Sequence, residues 1–379
     1  MKRTWKKKVS CAAALTLVWT LAWSSAAAHG HQVENHHRSQ NGSGYTSGWN
    51  CRDGHWYLCD STGTPRTGWQ QDGSCWYYLG EDGVMQTGWH HQNGHWYHFQ
   101  QSGAMTTGWH QEDGCWYYLR QDGVMQTGWH QEHDCWYYLR ENGVMAIGWH
   151  QIGGSWYYFE ENGEMATGFL HDGKDWYFLD SSGRWTEDDP ETHTALSDTG
   201  KTMTLRDGVL YVDGILVANK SYPIPADYAP GGLTAETQAA FNRIQQAMQQ
   251  EGMSLWVASG YRSYSYQQQL YRNYVARDGQ AAADRYSARA GYSEHQTGLA
   301  FDVNQVNDSF AATPQAKWLA AHAHEYGFII RYPKGMEDVT GYQYEPWHLR
   351  YVGVETATAV YKSGLCLEQY LGIDSYYHN

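Results

Sequence analysis

Aromatic residues recur through the first half of the chain with a fixed period. Gly-Trp pairs occur every 20 residues, and a second tryptophan follows each pair seven residues later. The pairs contain Trp49, Trp69, Trp89, Trp109, Trp129 and Trp149, with Phe169 last, and the second tryptophans are Trp56, Trp76, Trp96, Trp116, Trp136, Trp156 and Trp176. Turn signals such as Asp113-Gly114 separate the two aromatic runs of each unit. Residues 48–187 are therefore predicted to form an all-β solenoid of β-hairpin repeats.

The second half of the chain has mixed helical and strand patterns. Apolar residues at Phe241, Ile244 and Met248 predict a helix within residues 233–250, and residues 317–326 predict another. A hairpin is predicted around Asp213-Gly214. Residues 188–204 are polar and acidic, so we expect a linker there and a separate domain over residues 205–379.

Metal-ligating side chains occur around a short apolar segment of this second half. Residues 299–303 are apolar except for Asp302, which predicts a buried strand that carries one carboxylate. A buried carboxylate without a partner is costly, and a metal ion removes that cost. His295, Asp302 and His348 offer three ligands, which leaves the fourth position of a catalytic zinc open, while Glu345 is a spare base. Each residue alone also suits an ordinary core histidine or strand cap, but the joint pattern favours a metal site.

These residues resemble a known family. Ser-x-His-x-x-Gly-x-Ala-x-Asp from Ser293, with Glu-x-Trp-His from Glu345, is similar to the VanY-type zinc D-alanyl-D-alanine carboxypeptidases, and residues 259–264 with Gln267 match as well. The resemblance covers about 160 residues. It implies an α+β domain with a small antiparallel sheet and helices, and one Zn²⁺ per chain held by His295, Asp302 and His348.

The same resemblance implies roles for the residues around the ion. Glu345 is expected to act as general base and Arg262 to stabilise the oxyanion, as suits a fixed guanidinium. Ser293, Gln267 and Tyr261 are the expected substrate-binding residues. Ser293 lacks the Ser-x-x-Lys context of a nucleophile.

The expected activity is removal of the C-terminal D-amino acid from peptidoglycan stem peptides. The resemblance leaves two specificities open, namely a D,D-carboxypeptidase acting on the D-Ala-D-Ala bond and an L,D-carboxypeptidase acting on tetrapeptide stems. A wall-binding protein whose peptidase domain only recognises the wall is the alternative of a different class. The intact metal and base set favours the enzyme.

The aromatic repeats predict pockets for a quaternary ammonium group. Ring faces attract a cation by about 1 to 2 kcal/mol per good contact, and methionines recur at one phase of the repeat. The expected choline-binding residues are Trp69, Trp76, Met85, Trp89, Trp96, Met105, Trp109, Trp116, Met125, Trp129, Trp136, Met145, Trp149, Trp156 and Met165. The repeats resemble the choline-binding, or cell-wall-binding, family, which implies choline on teichoic acid or a related wall polymer as partner. Two alternatives stay open. The aromatic residues could form only the structural core, since solenoids need large apolar residues. A glycan ligand is the other alternative, because the family that the repeats resemble has carbohydrate-binding relatives, and here His98 replaces a tyrosine and Phe169 a tryptophan.

The start of the chain predicts export. Residues 1–28 have the basic, apolar and small-residue regions of a signal peptide, and residues 29–47 form a polar, histidine-rich segment expected to be a tail. The protein is therefore expected at the cell wall of a Gram-positive-type bacterium, without a membrane span in the mature chain.

Net charge limits the classes of binding partner, and the cysteines allow one disulfide pairing. Removal of the leader takes five of 26 basic residues and no acid, so the formal charge falls from −14 to −19. Such a charge excludes a nucleic-acid partner bound by simple charge and favours a cationic ligand. Six cysteines remain, of which Cys51 and Cys59 could pair across the first hairpin.

Overall fold

The computed structural model describes residues 44–378. The expected signal peptide and residues 29–43 of the histidine-rich segment lie outside the described residues. The chain divides into two compact units, with the boundary between Ala166 and Thr167.

The first unit consists of antiparallel two-stranded hairpins, as the aromatic spacing predicts. Their strands are β1 (Gly48–Arg52), β2 (His55–Cys59), β3 (Gly68–Asp72), β4 (Cys75–Leu79), β5 (Gly88–Gln92), β6 (His95–Phe99), β7 (Gly108–Glu112), β8 (Cys115–Leu119), β9 (Gly128–Glu132), β10 (Cys135–Leu139), β11 (Gly148–Ile152) and β12 (Ser155–Phe159). At the turn between β7 and β8, Asp113 and Gly114 have φ values of 48° and 77°. Two successive positive φ values match the twist of a tight hairpin, which explains the Asp-Gly dipeptide.

Each connector ties its hairpin to the preceding one. After β8, Leu119 forms an isolated bridge with Met125, and the Met125 N–H donates to the carbonyl of Trp96 at 2.8 Å. The equivalent bond from Met145 to Trp116 is also 2.8 Å. Leu119, at the end of β8, is fully buried within the stack of hairpins. The hairpins therefore bury their apolar side chains by stacking.

The second unit begins with one more hairpin of the repeat, β13 (Gly168–His171) and β14 (Trp176–Leu179). A 3-10 helix at Pro190–Thr192 follows, and then a four-stranded antiparallel sheet in the order β15 (Thr194–Leu196), β16 (Thr202–Arg206), β17 (Val209–Val212) and β18 (Ile215–Leu216). Phe169 packs in one apolar cluster with Met203 and Leu205 of this sheet.

Residues 188–204 differ from the expected linker. They supply β15 and the first half of β16, where Met203 is buried and Thr202 and Thr204 are not. Only alternate residues of such a strand face the core, so its overall composition is polar although its inner face is apolar.

The sheet that carries the predicted metal ligands is antiparallel and four-stranded. Its order is β19 (Val257–Ser259), β20 (Ala300–Val303), β22 (Glu345–Tyr351) and β21 (Phe328–Tyr332). The surrounding helices are α1 (Ala235–Gln250), α2 (Tyr264–Asp278), α3 (Gln280–Ala283), α4 (Pro314–His322), α5 (Glu337–Thr340), α6 (Val354–Ser363) and α7 (Leu367–Leu371). Further 3-10 helices span Glu294–Thr297, Asp308–Ala312 and Ala323–Tyr326. This is the α+β arrangement that the sequence predicts.

Helix α1 packs against this sheet. Thr234 caps its start by accepting from the Thr237 N–H at 3.2 Å. Phe241, Ile244 and Met248 lie on its buried face, as the helical spacing predicts. Phe241 packs edge-on against Phe301 of β20, with ring centroids 4.8 Å apart. The strand that bears Asp302 is therefore held against a rigid helix.

No disulfide joins the six cysteines among residues 44–378. Cys51 and Cys59, which could have paired by sequence, are not bonded to each other. Over the same residues, no helix combines the length and apolar character needed to cross a membrane.

Candidate functional site

His295 owes its position to a tight turn before β20. It lies on the 3-10 helix Glu294–Thr297, which ends at Gly298 with a left-handed φ of 71°. A β-carbon at Gly298 would lie 2.4 Å from the carbonyl oxygen of Gly232, so only glycine fits. The turn places His295 beside Asp302, seven residues later in the chain.

Strand register brings the other residues to the same place. Asp302 and His348 are direct cross-strand partners on β20 and β22, and Ser259 of β19 pairs with Asp302 on the other side. Side chains of cross-strand partners project on one face of a sheet. Glu345 precedes His348 on β22 by three residues, and its Oε2 lies 3.3 Å from His348 Nδ1.

The three predicted ligands converge on one point. His295 Nε2 lies 3.4 Å from Asp302 Oδ2, and His348 Nδ1 lies 3.4 Å from Asp302 Oδ1. One ligand atom from each residue lies within 4.8 Å of the others, and all three residues are buried. The structure therefore brings together the residues that the sequence predicts as ligands.

A hydrogen bond behind His295 and a carboxylate behind His348 face the far ring nitrogens of the two imidazoles. His295 Nδ1 lies 2.7 Å from the carbonyl oxygen of Gly260, which can only accept, so this nitrogen carries the proton and Nε2 faces Asp302. His348 Nε2 faces Glu294 Oε2 at 3.7 Å, and its Nδ1 faces Asp302. A carboxylate or carbonyl behind each histidine is the usual support of a metal-binding imidazole.

The donor set fits zinc. Two imidazole nitrogens and one carboxylate oxygen are typical ligands of a catalytic zinc. Asp302 Oδ1 is buried and has no hydrogen-bond partner, which is costly unless a cation or proton occupies the space that it faces. Burial acts to raise the pKa of Asp302, but His295, His348 and Arg262 lower it to about 2, so the carboxylate is charged and available.

A buried ionic cluster lies behind His348. Glu294 Oε1 accepts from Arg331 Nε at 2.7 Å and from Arg350 at 2.9 Å, and Arg331 also pairs with Glu368. Burial acts to raise the pKa of Glu294, but Arg331 and Arg350 hold it well below its usual range. Glu294 is thus a fixed anion beside the imidazole. Burial acts to lower the pKa of His348, but Glu294 and Glu345 raise it to about 9 in the metal-free chain.

Glu345 and Arg262 flank the ligands. Burial raises the pKa of Glu345, which brings this carboxylate closer to the neutral range in which a general base works best. Arg262 donates to Asp302 Oδ2 at 2.8 Å and to Ser259 Oγ at 2.8 and 3.1 Å, so its guanidinium is held in one orientation. About a fifth of its side chain is exposed.

A cavity of about 640 Å³ opens onto this cluster. Its lining includes the three predicted ligands, Glu345, Arg262 and Ser293, together with Tyr274, Arg277, Tyr286, Gln343 and residues 306–309. A cavity of this size suits a short peptide end.

Two predicted substrate-binding residues do not line the cavity. Gln267 is almost fully buried and donates to the Ala288 carbonyl at 2.8 Å and to Ser287 Oγ at 3.3 Å. It therefore supports a wall of the cavity, to which Ser287 and Ala288 belong, rather than touching its contents. Tyr261, beside Arg262 in sequence, is half-buried and is also absent from the lining.

Several residues of the site were missed by sequence reasoning. Glu294, Arg331 and Arg350 support His348, while Tyr274 and Arg277 belong to the cavity wall. A charge inside an otherwise apolar strand could have revealed Arg331 and Arg350, since such a residue needs a buried partner. Tyr274 and Arg277, on α2, carry no comparable signal in the sequence.

The tryptophans of the repeats form right-angled pairs. Trp109 and Trp116 have ring centroids 6.4 Å apart and planes at 83°, and Trp129 and Trp136 are 6.0 Å apart at 88°. The next hairpin contributes a tyrosine, because Tyr137 lies 5.0 Å from Trp109. Met145 packs in one cluster with these rings.

The same aromatic arrangement recurs along the first unit. Trp49, Trp69, Trp89 and Trp129 contact Tyr77, Tyr97, Tyr117 and Tyr157 of the following hairpin at 4.8 to 4.9 Å. These tyrosines were not among the predicted ligand residues, although they share the repeat period. Trp76, Trp96, Trp136 and Trp156 are 40 to 45% exposed, so one wall of each pair is open to solvent.

Comparison with known proteins agrees with this division of the chain. Residues 231–354 match the family model for D-alanyl-D-alanine carboxypeptidase, VanY, and residues 66–108, 106–148 and 146–186 match the choline-binding repeat. The bifunctional D-Ala-D-Ala dipeptidase and D-Ala-D-Ala carboxypeptidase VanXYC of Enterococcus gallinarum is 30% identical over 174 residues, 40% of this chain and 90% of that protein. The chain belongs to the VanY carboxypeptidase family.

Two further proteins show how much of the chain these similarities cover. A putative carboxypeptidase YodJ of Bacillus subtilis (strain 168) is 38% identical over 180 residues, which cover 41% of this chain and 66% of the relative. The chain thus spans just under two thirds of the first curated relatives that it matches. A crystal structure of an L,D-carboxypeptidase DacB from Streptococcus pneumoniae is 45% identical and covers 47% of this chain and 100% of that chain, with a TM-score of 0.43.

Proposed function

We propose that this protein is a zinc carboxypeptidase that removes the terminal D-alanine from peptidoglycan stem peptides ending in D-Ala-D-Ala. The observation that carries the proposal is the convergence of His295, Asp302 and His348, with ligand atoms within 4.8 Å and Glu345 beside them. Family membership supports the reaction class. A zinc ion held by these three residues would supply a Lewis acid for the scissile carbonyl and lower the pKa of a bound water.

Glu345 is the proposed general base and acid. Its carboxylate takes a proton from the attacking water as the water oxygen bonds to the carbonyl carbon of the substrate. The C–N bond then breaks, and Glu345 returns the proton to the leaving amine nitrogen. The products are a shortened peptide with a new carboxylate and one free amino acid. Because burial raises the pKa of Glu345, its carboxyl group can hold that proton between the two steps.

Arg262 and Ser293 are proposed to position the substrate. Arg262 is fixed by Ser259 and Asp302 and lines the cavity, so its remaining N–H groups can stabilise negative charge on the carbonyl oxygen or bind the terminal carboxylate. Ser293 lines the same cavity next to the ligand-bearing turn. Binding of the free carboxylate would restrict cleavage to the last residue of a peptide.

Incubation of the purified chain with stem peptides tests this function directly. Pentapeptide and tetrapeptide stems are supplied separately, and products are weighed by mass spectrometry beside a measurement of bound zinc. Loss of one alanine from the pentapeptide supports the proposal, and cleavage of the tetrapeptide alone would reassign the enzyme as an L,D-carboxypeptidase. A zinc-loaded chain that cleaves neither peptide would contradict the proposed activity.

We further propose that the repeats attach the protein to choline on a wall polymer. Two tryptophans at right angles, with a tyrosine and a methionine from the next hairpin, offer ring faces to one small cation. Each box binds weakly, but several boxes on one array bind a polymer together. The formal charge of −14 for the whole chain also favours a cationic ligand over a neutral sugar.

Elution from cell walls tests the ligand of the repeats. The full chain is expected to leave choline-containing walls when millimolar choline is added, because soluble choline competes at each box. Release by soluble glucan, with full retention in choline, would show that the repeats bind a glycan instead of choline. Substitution of both Trp109→Ala and Trp116→Ala should weaken retention without abolishing it, since other boxes remain.

A further inference from the structure

One junction of the repeat array differs from its neighbours. In the second strand of four hairpins the same position is a tyrosine, namely Tyr78, Tyr118, Tyr138 and Tyr158, but β6 has His98. Tyr118 lies against His130 of the next hairpin, with ring centroids 3.9 Å apart. His98 instead stacks on His110, at 3.8 Å and an interplanar angle of 29°. Two imidazoles therefore meet at a place where other junctions have at most one.

A carboxylate completes this cluster. Glu112 lies two residues after His110 on β7, and one ligand atom from each of His98, His110 and Glu112 lies within 4.8 Å of the others. Glu112 Oε2 accepts from the indole N–H of Trp89, which leaves Oε1 for another partner. His98 is 6% exposed, whereas the other two residues are half-buried and give access from solvent.

The ring nitrogens are suited to binding. His98 Nδ1 lies 2.8 Å from Thr106 Oγ1, a hydrogen bond that leaves its Nε2 for a ligand. Thr106 is also particular to this junction, because the repeat has Gln86, Gln126 or Ala146 in its place. His110 Nε2 is buried without a hydrogen-bond partner, as are His90 Nε2 and His130 Nε2 at the same phase of the repeat. Of these three histidines, only His110 has both a second imidazole stacked on it and a carboxylate within ligand distance, so only this junction offers three ligand atoms to one cation.

We propose that His98, His110 and Glu112 form a second metal site, which binds a divalent transition ion such as Zn²⁺ between two consecutive hairpins. Imidazole nitrogen and carboxylate oxygen are the ligands that Zn²⁺, Cu²⁺ and Ni²⁺ accept. Bonds of about 2.0 to 2.2 Å require the three ligand atoms to approach slightly and the two rings to turn out of their stacked arrangement.

The bound ion would join the hairpin β5–β6 to the hairpin β7–β8. Those hairpins also meet through the Met125 N–H bond to the Trp96 carbonyl and through ring contacts such as Trp89 on Tyr117, with centroids 4.8 Å apart. The site is independent of the proposed carboxypeptidase function, because its residues all lie in the first compact unit.

Counting zinc ions in matched variants tests the proposal. Metal-free full chain carrying His295→Ala and His348→Ala is titrated with ZnCl₂ in a calorimeter, so that the candidate carboxypeptidase site does not contribute. His98→Tyr is then added, which restores the residue found at the equivalent position of neighbouring repeats and should fold at least as well. We expect this change to remove one bound ion per chain. Retention of the same number of ions with the same affinity would overturn the proposal.

Two controls separate this site from other histidines. His110→Gln should also remove one ion, whereas His130→Gln, at the same phase of the repeat but opposite Tyr118, should remove none. The histidine-rich segment at residues 29–37 is present in every variant and cancels in the comparison.

Electron paramagnetic resonance with one equivalent of Cu²⁺ gives a second readout, since coupling to two imidazole nitrogens should be lost in His98→Tyr. Unchanged coupling in that variant would place the copper elsewhere. The same His98→Tyr comparison in the chain with intact His295 and His348 guards against misfolding of the double variant.

Discussion

Glu294 lies directly behind His348, with its Oε2 3.7 Å from His348 Nε2, while its other oxygen accepts hydrogen bonds from both Arg331 and Arg350. The two guanidinium groups keep Glu294 ionised in a site that excludes water. A fixed anion at this position selects the ring orientation in which Nδ1 faces Asp302. The buried cluster thus links folding of the sheet to the arrangement of the predicted metal ligands.

Glu294→Gln should weaken zinc binding and destabilise the domain together. We expect the zinc affinity to fall by about 10- to 100-fold, because the neutral amide no longer supports the charge of the metal-binding imidazole. The free energy of unfolding should fall by about 3 to 5 kcal/mol, because two buried guanidinium groups lose part of their countercharge. Chelator competition and denaturant unfolding measure the two effects.

Glu368→Gln is the matched control for the preceding change. Glu368 pairs with Arg331 through both oxygens, one of them at 2.8 Å, and it is fully buried. Its loss should destabilise the domain by a similar amount, about 3 to 5 kcal/mol, with little effect on zinc affinity in the folded protein. Equal losses of zinc affinity in both variants would mean that Glu294 acts through stability alone.

Glu345→Gln should abolish turnover and leave zinc in place. The glutamine keeps the size of the side chain but cannot accept the proton of the attacking water. We expect kcat to fall by about 10² to 10⁴, with zinc content equal to that of the wild type. Glu355→Gln, at an exposed position of α6, is the control and should retain full activity. Turnover of Glu345→Gln within about tenfold of the wild type would remove Glu345 from the proposed role.

The sequence predicts the architecture well where one residue pattern fixes one local structure. The 20-residue period and Asp113-Gly114 predict the hairpins because a two-residue turn sets their register. Asp302 was predictable as a buried carboxylate because a lone carboxylate in an apolar strand requires a partner. The pairing of Asp302 with His348 follows from strand register, however, which only the folded sheet defines.

Other features depended on contacts between distant segments. The strand Thr202–Arg206 escaped prediction because its outward residues are polar, and its pairing with β17 decides its structure. Gln267 was placed against the substrate by resemblance, but it bonds to Ala288 behind the cavity wall. Tyr137 completes the box of Trp109 from the next hairpin, and such contacts depend on how the hairpins stack.

Lys220 should make stability depend on pH in the alkaline range. Its ammonium group donates to the carbonyl oxygens of Asp284, at 2.7 Å, and Gly341, and lies 4.4 Å from the ring centre of Tyr342. Burial lowers the pKa of Lys220 from 10.5 to about 8. Between pH 8 and 10.5 the amine of Lys220 is more protonated in the unfolded chain than in the folded chain. The contribution of Lys220 to the free energy of unfolding should therefore rise as the pH rises from about 8 to 10.5.

Denaturant unfolding at several pH values isolates this contribution. Lys220→Met keeps the length of the side chain and removes its titration, so the variant should lose this rise, although its overall stability falls with the two lost hydrogen bonds. Parallel pH profiles for the wild type and Lys220→Met would show that Lys220 does not titrate in this window.

Trp136→Ala should weaken wall retention with little effect on folding. Trp136 stands at 88° to Trp129 and is 40% exposed, so it forms the open wall of its box rather than the core of the array. Loss of one ring removes a cation contact of about 1 to 2 kcal/mol from one box, while the remaining boxes still bind. The choline concentration that elutes half of the protein from walls should therefore fall, and fall again when Trp96→Ala is added.

Trp256→Ala is the control, because Trp256 is 52% exposed but lies outside the repeats, and it should elute like the wild type. An unchanged elution point for the double variant would show that these tryptophans do not form the choline sites, whereas a matching loss in Trp256→Ala would indicate nonspecific adsorption of exposed aromatic rings.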